Sequence, residues 1–98
     1  MVKQYEVKWT ERSLSNALEI KAYLKKRFSG KEIVRFEELL RQFENTVSNF
    51  PTLYPESQKQ KSLRRAVVHK NTTVYYIFKE DKVTMIAMKD NRQLKPSR

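Results

Sequence analysis

The sequence predicts an α+β fold in the order β-α-α-β-β-β, with an antiparallel sheet packed on a helical hairpin. Three observations point to it. Two stretches in the first half carry apolar residues at helical spacing. Three runs of β-branched and aromatic residues follow in the second half. Short polar segments separate those runs. A chain of 98 residues suffices for one modest core, so residues 1–98 are expected to form a single domain.

The elements follow in order. Tyr5, Val7 and Trp9 alternate with Gln4, Glu6 and Lys8, the period of a strand with one buried face. Thr10 stands where a helix N-cap belongs, and Glu11 suits the positive end of the helix dipole. Leu14, Ala17, Leu18, Leu24 and Phe28 form an apolar stripe with Ile20 at its flank, and this helix should end near Arg27 or Phe28. Ser29-Gly30-Lys31-Glu32 reads as a capping box, and places the only glycine where a tight reversal joins two helices. Ile33, Phe36, Leu40, Phe43, Val47 and Phe50 give the second helix its seam, and Pro51 and Pro55 enclose the loop that stops it. Strands are then expected over 63–69, 73–79 and 83–89, joined by polar turns at Lys70-Asn71-Thr72 and Glu80-Asp81-Lys82. Val74 to Phe78 is apolar or aromatic throughout, as in a central strand covered on both faces. The polar tail, residues 91–98, is expected to fray.

Composition narrows the function classes. No apolar run approaches the roughly 20 residues that span a bilayer, and the N-terminus lacks the apolar core of a secretory signal. With no cysteine and one histidine, neither a disulfide nor a metal centre is expected. One glycine leaves no phosphate-cradling loop, so no cofactor is implied. These features lead to a cytoplasmic protein without a membrane partner.

The formal net charge is +10, and it is uneven. Ten Lys and Arg stand against seven acids through Asn49, and eleven against four from Phe50 onward. A concentrated positive field suits RNA, DNA or an acidic protein, and equally a solvated face. The helices cover one sheet face, so the other is expected to present a concave basic surface. Its candidates are Lys59, Lys61, Arg64, Arg65, Lys89, Asp90, Asn91 and Arg92. Arg64 and Arg65 must point to opposite faces of their strand, and the sequence does not choose between them. His69 suits acid–base work, and equally an exposed strand end. Asp90-Asn91-Arg92 reads as a functional triplet or as a strand-terminating turn. Tyr75, Tyr76, Met85 and Met88 are read as sheet packing.

Several segments together resemble the RelE/ParE toxins of type II toxin–antitoxin (plasmid stabilisation) systems. They are Tyr5 to Ser13, the close at Asn49-Phe50-Pro51, Leu63 to Asn71, Val74 to Phe78, and Ile86 through Asp90-Asn91-Arg92-Gln93. The resemblance covers nearly the whole chain and is nearer the ParE-like branch. It implies a growth-inhibiting toxin neutralised by a cognate antitoxin. ParE-like members inhibit DNA gyrase without catalysis of their own, whereas RelE-like members cut messenger RNA on the ribosome. For a RelE-like nuclease the resemblance offers Arg64, Arg65, His69 and Arg92. The C-terminal position that carries a catalytic Tyr or His there falls here among Asp90, Asn91, Arg92 and Gln93. The ParE-like reading is therefore preferred. The nuclease is its alternative, and a plain basic nucleic-acid-binding module is the third reading.

Overall fold

A computed structural model describes residues 4–92 of the chain. The elements run β1 (Glu6–Trp9), α1 (Glu11–Arg27), α2 (Gly30–Asn49), β2 (Leu63–His69), β3 (Thr72–Lys79) and β4 (Lys82–Asp90), in the predicted order. Beyond Arg92 the expected tail lies outside the described residues.

The four strands form one sheet in the order β1-β4-β3-β2. The β2-β3-β4 meander is antiparallel as predicted, but β1 joins β4 in parallel, pairing Val7 with Val83 and Trp9 with Met85. The sheet is therefore mixed. Alternation sets which face of β1 is buried; it carries no signal for the direction of a neighbour reached across a helical hairpin. At the β3–β4 turn, Glu80 and Asp81 adopt φ of 53° and 61°, the left-handed geometry that suits a two-residue hairpin.

Thr10 sets the rotation of α1. Its hydroxyl accepts from the Ser13 amide at 3.1 Å and donates to the Met85 carbonyl at 2.8 Å, so the helix start is bonded to β4. Asn16 then accepts from the Met88 amide at 3.0 Å. With that anchor Ser13, Ala17, Ile20 and Leu24 face the sheet. The predicted stripe holds only in part: Ala17 and Leu24 are buried, but Leu14 is 49% and Leu18 63% exposed, Phe28 is also exposed, and the flanking Ile20 sits fully buried at the centre. Periodicity gives a helix its face to within a step, and a bonded cap decides the rest.

Along α2, Phe36, Phe43 and Val47 are buried, with Ile33 and Leu40 packed beside them, as the seam predicted; Phe50 is exposed. The capping box does not form. Ser29 makes no side-chain cap bond, and the Glu32 carboxylate turns instead to Arg35 and Arg92. Nor does the reversal need its glycine. Gly30 has no positive φ and a Cβ there would meet nothing within 4 Å, because Phe28 and Ser29 make the bend in extended conformations.

The core runs from these helix faces to Ala66, Val74, Tyr76, Val83, Met85 and Met88 on one side of the sheet. The loop after α2 closes over its edge. Tyr54 packs on Phe43 and Tyr76, and the Tyr76 hydroxyl donates to the Pro51 carbonyl at 2.7 Å. Burial pushes the Tyr76 phenol up to about 12.

Urea denaturation checks the rotation of α1. Ile20→Ala should cost about 2–5 kcal/mol, and Leu18→Ala should stay within about 0.5 kcal/mol of the parent. Equal costs at the two positions would restore the stripe read from periodicity.

Candidate functional site

Both helices lie on the core side of the sheet, which leaves the opposite face without a helical cover. Strand alternation puts Arg65 and Val67 of β2, Thr73, Tyr75 and Ile77 of β3, and Ala87 and Lys89 of β4 on that open face. Pairing sets Arg65 opposite Tyr75 and Tyr75 opposite Ala87, with Lys89 one row away opposite Thr73. A bulge at Ile86 makes this possible. It shifts the β4 register between Tyr75 and Tyr76, so that Met85 and Met88 both point into the core and Lys89 points out.

The result is a tyrosine between two cations. The Lys89 ammonium lies 5.4 Å from the centre of the Tyr75 ring, and Arg65 and Lys89 both interact with its hydroxyl. Partial burial alone would raise the Tyr75 phenol. The hydrogen bonding and charge of Arg65 and Lys89 outweigh it and bring the group below its ordinary value of 10.0. Beside the pair, the loop at 55–59 and Arg65 and Tyr75 line a cavity of about 580 Å³, with Lys59 on its rim. Glu56 is the only carboxylate lining it, and pairs with Arg64 at 3.6 Å. Chemically, two cations beside a titratable hydroxyl can receive an anion.

Tyr75 was missed by sequence reasoning. The unbroken apolar run from Val74 to Phe78 conceals that Val74 and Tyr76 are buried while Tyr75 and Ile77 stay partly exposed. The usable signal was the alternation within that run, which Arg65 and Lys89 complete only once the register and its bulge are known.

The other predicted residues go elsewhere. Arg64 points inward with a side chain only 16% exposed, and donates to the Tyr54 carbonyl at 2.7 Å. It holds the loop rather than the open face, so the choice between the two arginines falls to Arg65. Lys61 is exposed at the entry to β2 and does not line the cavity. His69 lies four residues beyond Arg65, about 13 Å along the strand. There it shares a cavity of about 100 Å³ with Glu32, Arg35, Phe36 and Arg92.

Asp90 is fully buried and cannot belong to a target-binding surface. It chelates Arg92 instead. The Arg92 guanidinium donates through Nε at 2.9 Å and Nη2 at 2.8 Å, its amide donates at 3.0 Å, and the Thr72 hydroxyl adds a bond at 3.3 Å. Glu32 reaches the same guanidinium at 3.4 Å, Tyr23 donates to the Arg92 carbonyl at 3.0 Å, and Phe28 lies 5.3 Å beneath. Asn91 ties back to the Lys70 and Asn71 carbonyls. The triplet is therefore a latch between the end of β4 and the helical hairpin. The four residues offered for a nuclease do not assemble into one constellation.

The latch has a pH signature. Burial opposes the Asp90 charge, but the bonds from Arg92 and Thr72 outweigh it and hold the carboxyl below its usual value. A depressed folded value means that the stabilisation is present above the unfolded value of about 3.9 and is lost as pH falls through the folded one. Thermal unfolding should find Asp90→Asn less stable at neutral pH, with a flatter decline between about pH 5 and about pH 2. For Tyr75, ultraviolet titration should show a phenol ionising below 10.0 that Tyr75→Phe removes and Arg65→Ala moves upward.

No protein-family model and no curated protein matches the chain. Solved structures do. A chain of the chromosomal ParDE TA system from P. aeruginosa aligns with a TM-score of 0.73 at 8% identity, over 89% of this chain and 96% of that one. A chain of the E. coli DinJ-YafQ toxin–antitoxin complex gives 0.63 at 13% identity, over 95% and 99%. YafQ from E. coli strain BL21(DE3) gives 0.51 at 16% identity, over 95% and 100%. Two helices on a four-stranded mixed sheet, matched over 89% and 95% of this chain, are the RelE/ParE-like toxin fold, and this chain has it.

Proposed function

We propose that the chain is the toxin of a type II toxin–antitoxin system, neutralised by a cognate antitoxin and ParE-like in action. It acts in the cytoplasm by laying its open basic face on DNA gyrase or a similar target. The likeness to the ParDE chain, with little of either chain left over, is the observation that carries this reading. Arg64 turns to the Tyr54 carbonyl, away from the cavity that His69 and Arg92 share, and Arg92 is held by Asp90, which supports a binding protein over a nuclease built from all of those residues. A net charge of +10 suits an acidic antitoxin.

One observation favours the alternative. Arg65, Tyr75 and Lys89 offer what a ribosome-dependent endoribonuclease needs. An ionised Tyr75 would take the 2′-hydroxyl proton, and that oxygen would attack phosphorus while Arg65 and Lys89 neutralise the phosphorane. The bond to the 5′-oxygen would break, with its proton supplied by the Lys89 ammonium.

Two assays separate the readings after induced expression has arrested growth. The purified chain should inhibit gyrase supercoiling and leave a translated message intact by primer extension. Codon-phased cuts that need ribosomes and vanish in Tyr75→Phe would replace the first reading with the second. No growth arrest and no effect in either assay would end both.

A further inference from the structure

The rotation of α1 gives the helix a second stripe on its outer side. Glu11, Leu14, Ser15, Leu18, Ala22 and Lys25 are all exposed, and together they occupy about 100° of the helix circumference. Ser13, Ala17, Ile20 and Leu24 take the side turned to the sheet. The Lys21 ammonium is drawn to Glu37 of α2 at 3.2 Å. Among the described residues neither Glu11 nor Lys25 has an ion-pair partner. The stripe is also symmetric about Leu18. Glu11 and Lys25 stand seven residues to either side with opposite charge, and Leu14 and Ala22 stand four to either side, both apolar.

We propose that this stripe is a homodimer contact, in which α1 of a second copy lies antiparallel across it with Leu18 on the two-fold axis. Such an axis brings residue i of one copy to residue j of the other, and j to i. Centred on Leu18, it sets that leucine on its own counterpart, Leu14 on Ala22 and Glu11 on Lys25, the last two pairs twice over. The small Ala22 beside each leucine lets the helix axes approach to about 8–10 Å. Seven residues are about 10 Å of helix, so the charged ends stay within reach of each other. A parallel pair would instead set Glu11 on Glu11 and Lys25 on Lys25, and a polyanion would meet the Glu11 carboxylate. A second copy supplies the matching order of acid, apolar and base by symmetry. One helix of 17 residues offers less than the roughly 800 Å² per partner of a stable interface. Arg12 and Lys26 beside the stripe, and a net charge of +10 on each copy, oppose the contact. The dimer is therefore weak and concentration-dependent, and the open sheet face of each copy, on the other side of the sheet from α1, stays free.

The test uses the whole chain at about 0.3 M salt, which screens long-range repulsion more than a contact pair. The chain has no cysteine, so Leu18→Cys introduces a single thiol, and a disulfide across the axis needs Cα atoms within about 7 Å. Mild oxidation should convert Leu18→Cys to a covalent dimer and leave Glu38→Cys, exposed on α2, monomeric. In sedimentation equilibrium the unaltered chain should self-associate. Glu11→Lys and Lys25→Glu, each checked for intact helices by circular dichroism, should weaken the association about tenfold. An equimolar mixture of those two variants should recover it, because each restores the other's ion pairs. Lys25→Glu lowers the net charge, so its weaker dimer separates the local pair from long-range repulsion. Equal cross-linking at Leu18 and Glu38, a chain monomeric at its highest soluble concentration, or no recovery in the mixture would overturn the proposal. So would a monomer that sediments with phosphatidylglycerol vesicles and is released by Leu18→Asp, which would assign the stripe to a lipid surface.

Discussion

Two helices can bury only one face of a four-stranded sheet, and the rest of the structure follows from that constraint. On the covered face, Ile20, Leu24, Phe36, Phe43 and Val47 meet Val74, Tyr76, Val83, Met85 and Met88 in one continuous core. On the uncovered face there is no apolar layer to shield Arg65, Tyr75 and Lys89, so charge is cheap there and a cationic cluster can stand in solvent. Among the described residues no helix is long and apolar enough to cross a membrane. The division between a core side and an open side is thus also the division between packed apolar side chains and the Arg65–Tyr75–Lys89 cluster.

Charge on the covered side needs far closer pairing. Asp90 is fully buried, and a lone carboxylate there would carry a large desolvation penalty. Arg92, two residues on, answers it with three N–H donors, and Thr72 supplies a fourth. Because Arg92 also meets Glu32 and Tyr23, the end of β4 is joined to both helices at the side of the molecule where α1 turns into α2. At the other end of α1, Thr10 serves the same purpose by bonding β4 while capping the helix. The core-facing side of the hairpin is held to one central strand at both ends of α1.

Some of the site was legible and some was not, for reasons tied to particular residues. The basic second half and the opposed directions of Arg64 and Arg65 came from counting and alternation. That Arg65 is the outward one depends on strand register, which no local pattern carries. Lys89 faces outward beside Tyr75 only because Ile86 bulges out of the β4 ladder. Asp90-Asn91-Arg92 showed itself as a polar strand end, but the latch depends on Tyr23, Phe28 and Glu32, which meet Arg92 from sixty or more residues away in sequence.

The sequence by itself determined the number, order and approximate bounds of the elements, because periodicity, caps, prolines and polar turns are local signals. It also determined the face of α2, whose apolar seam is broad enough to tolerate a small rotation. Tertiary structure decided the parallel entry of β1, the rotation of α1 away from Leu14 and Leu18, and the uses of Glu32 and Arg92. Each of these depends on a partner far along the chain, and the free energy of such a contact exists only once the sheet has brought the two ends together.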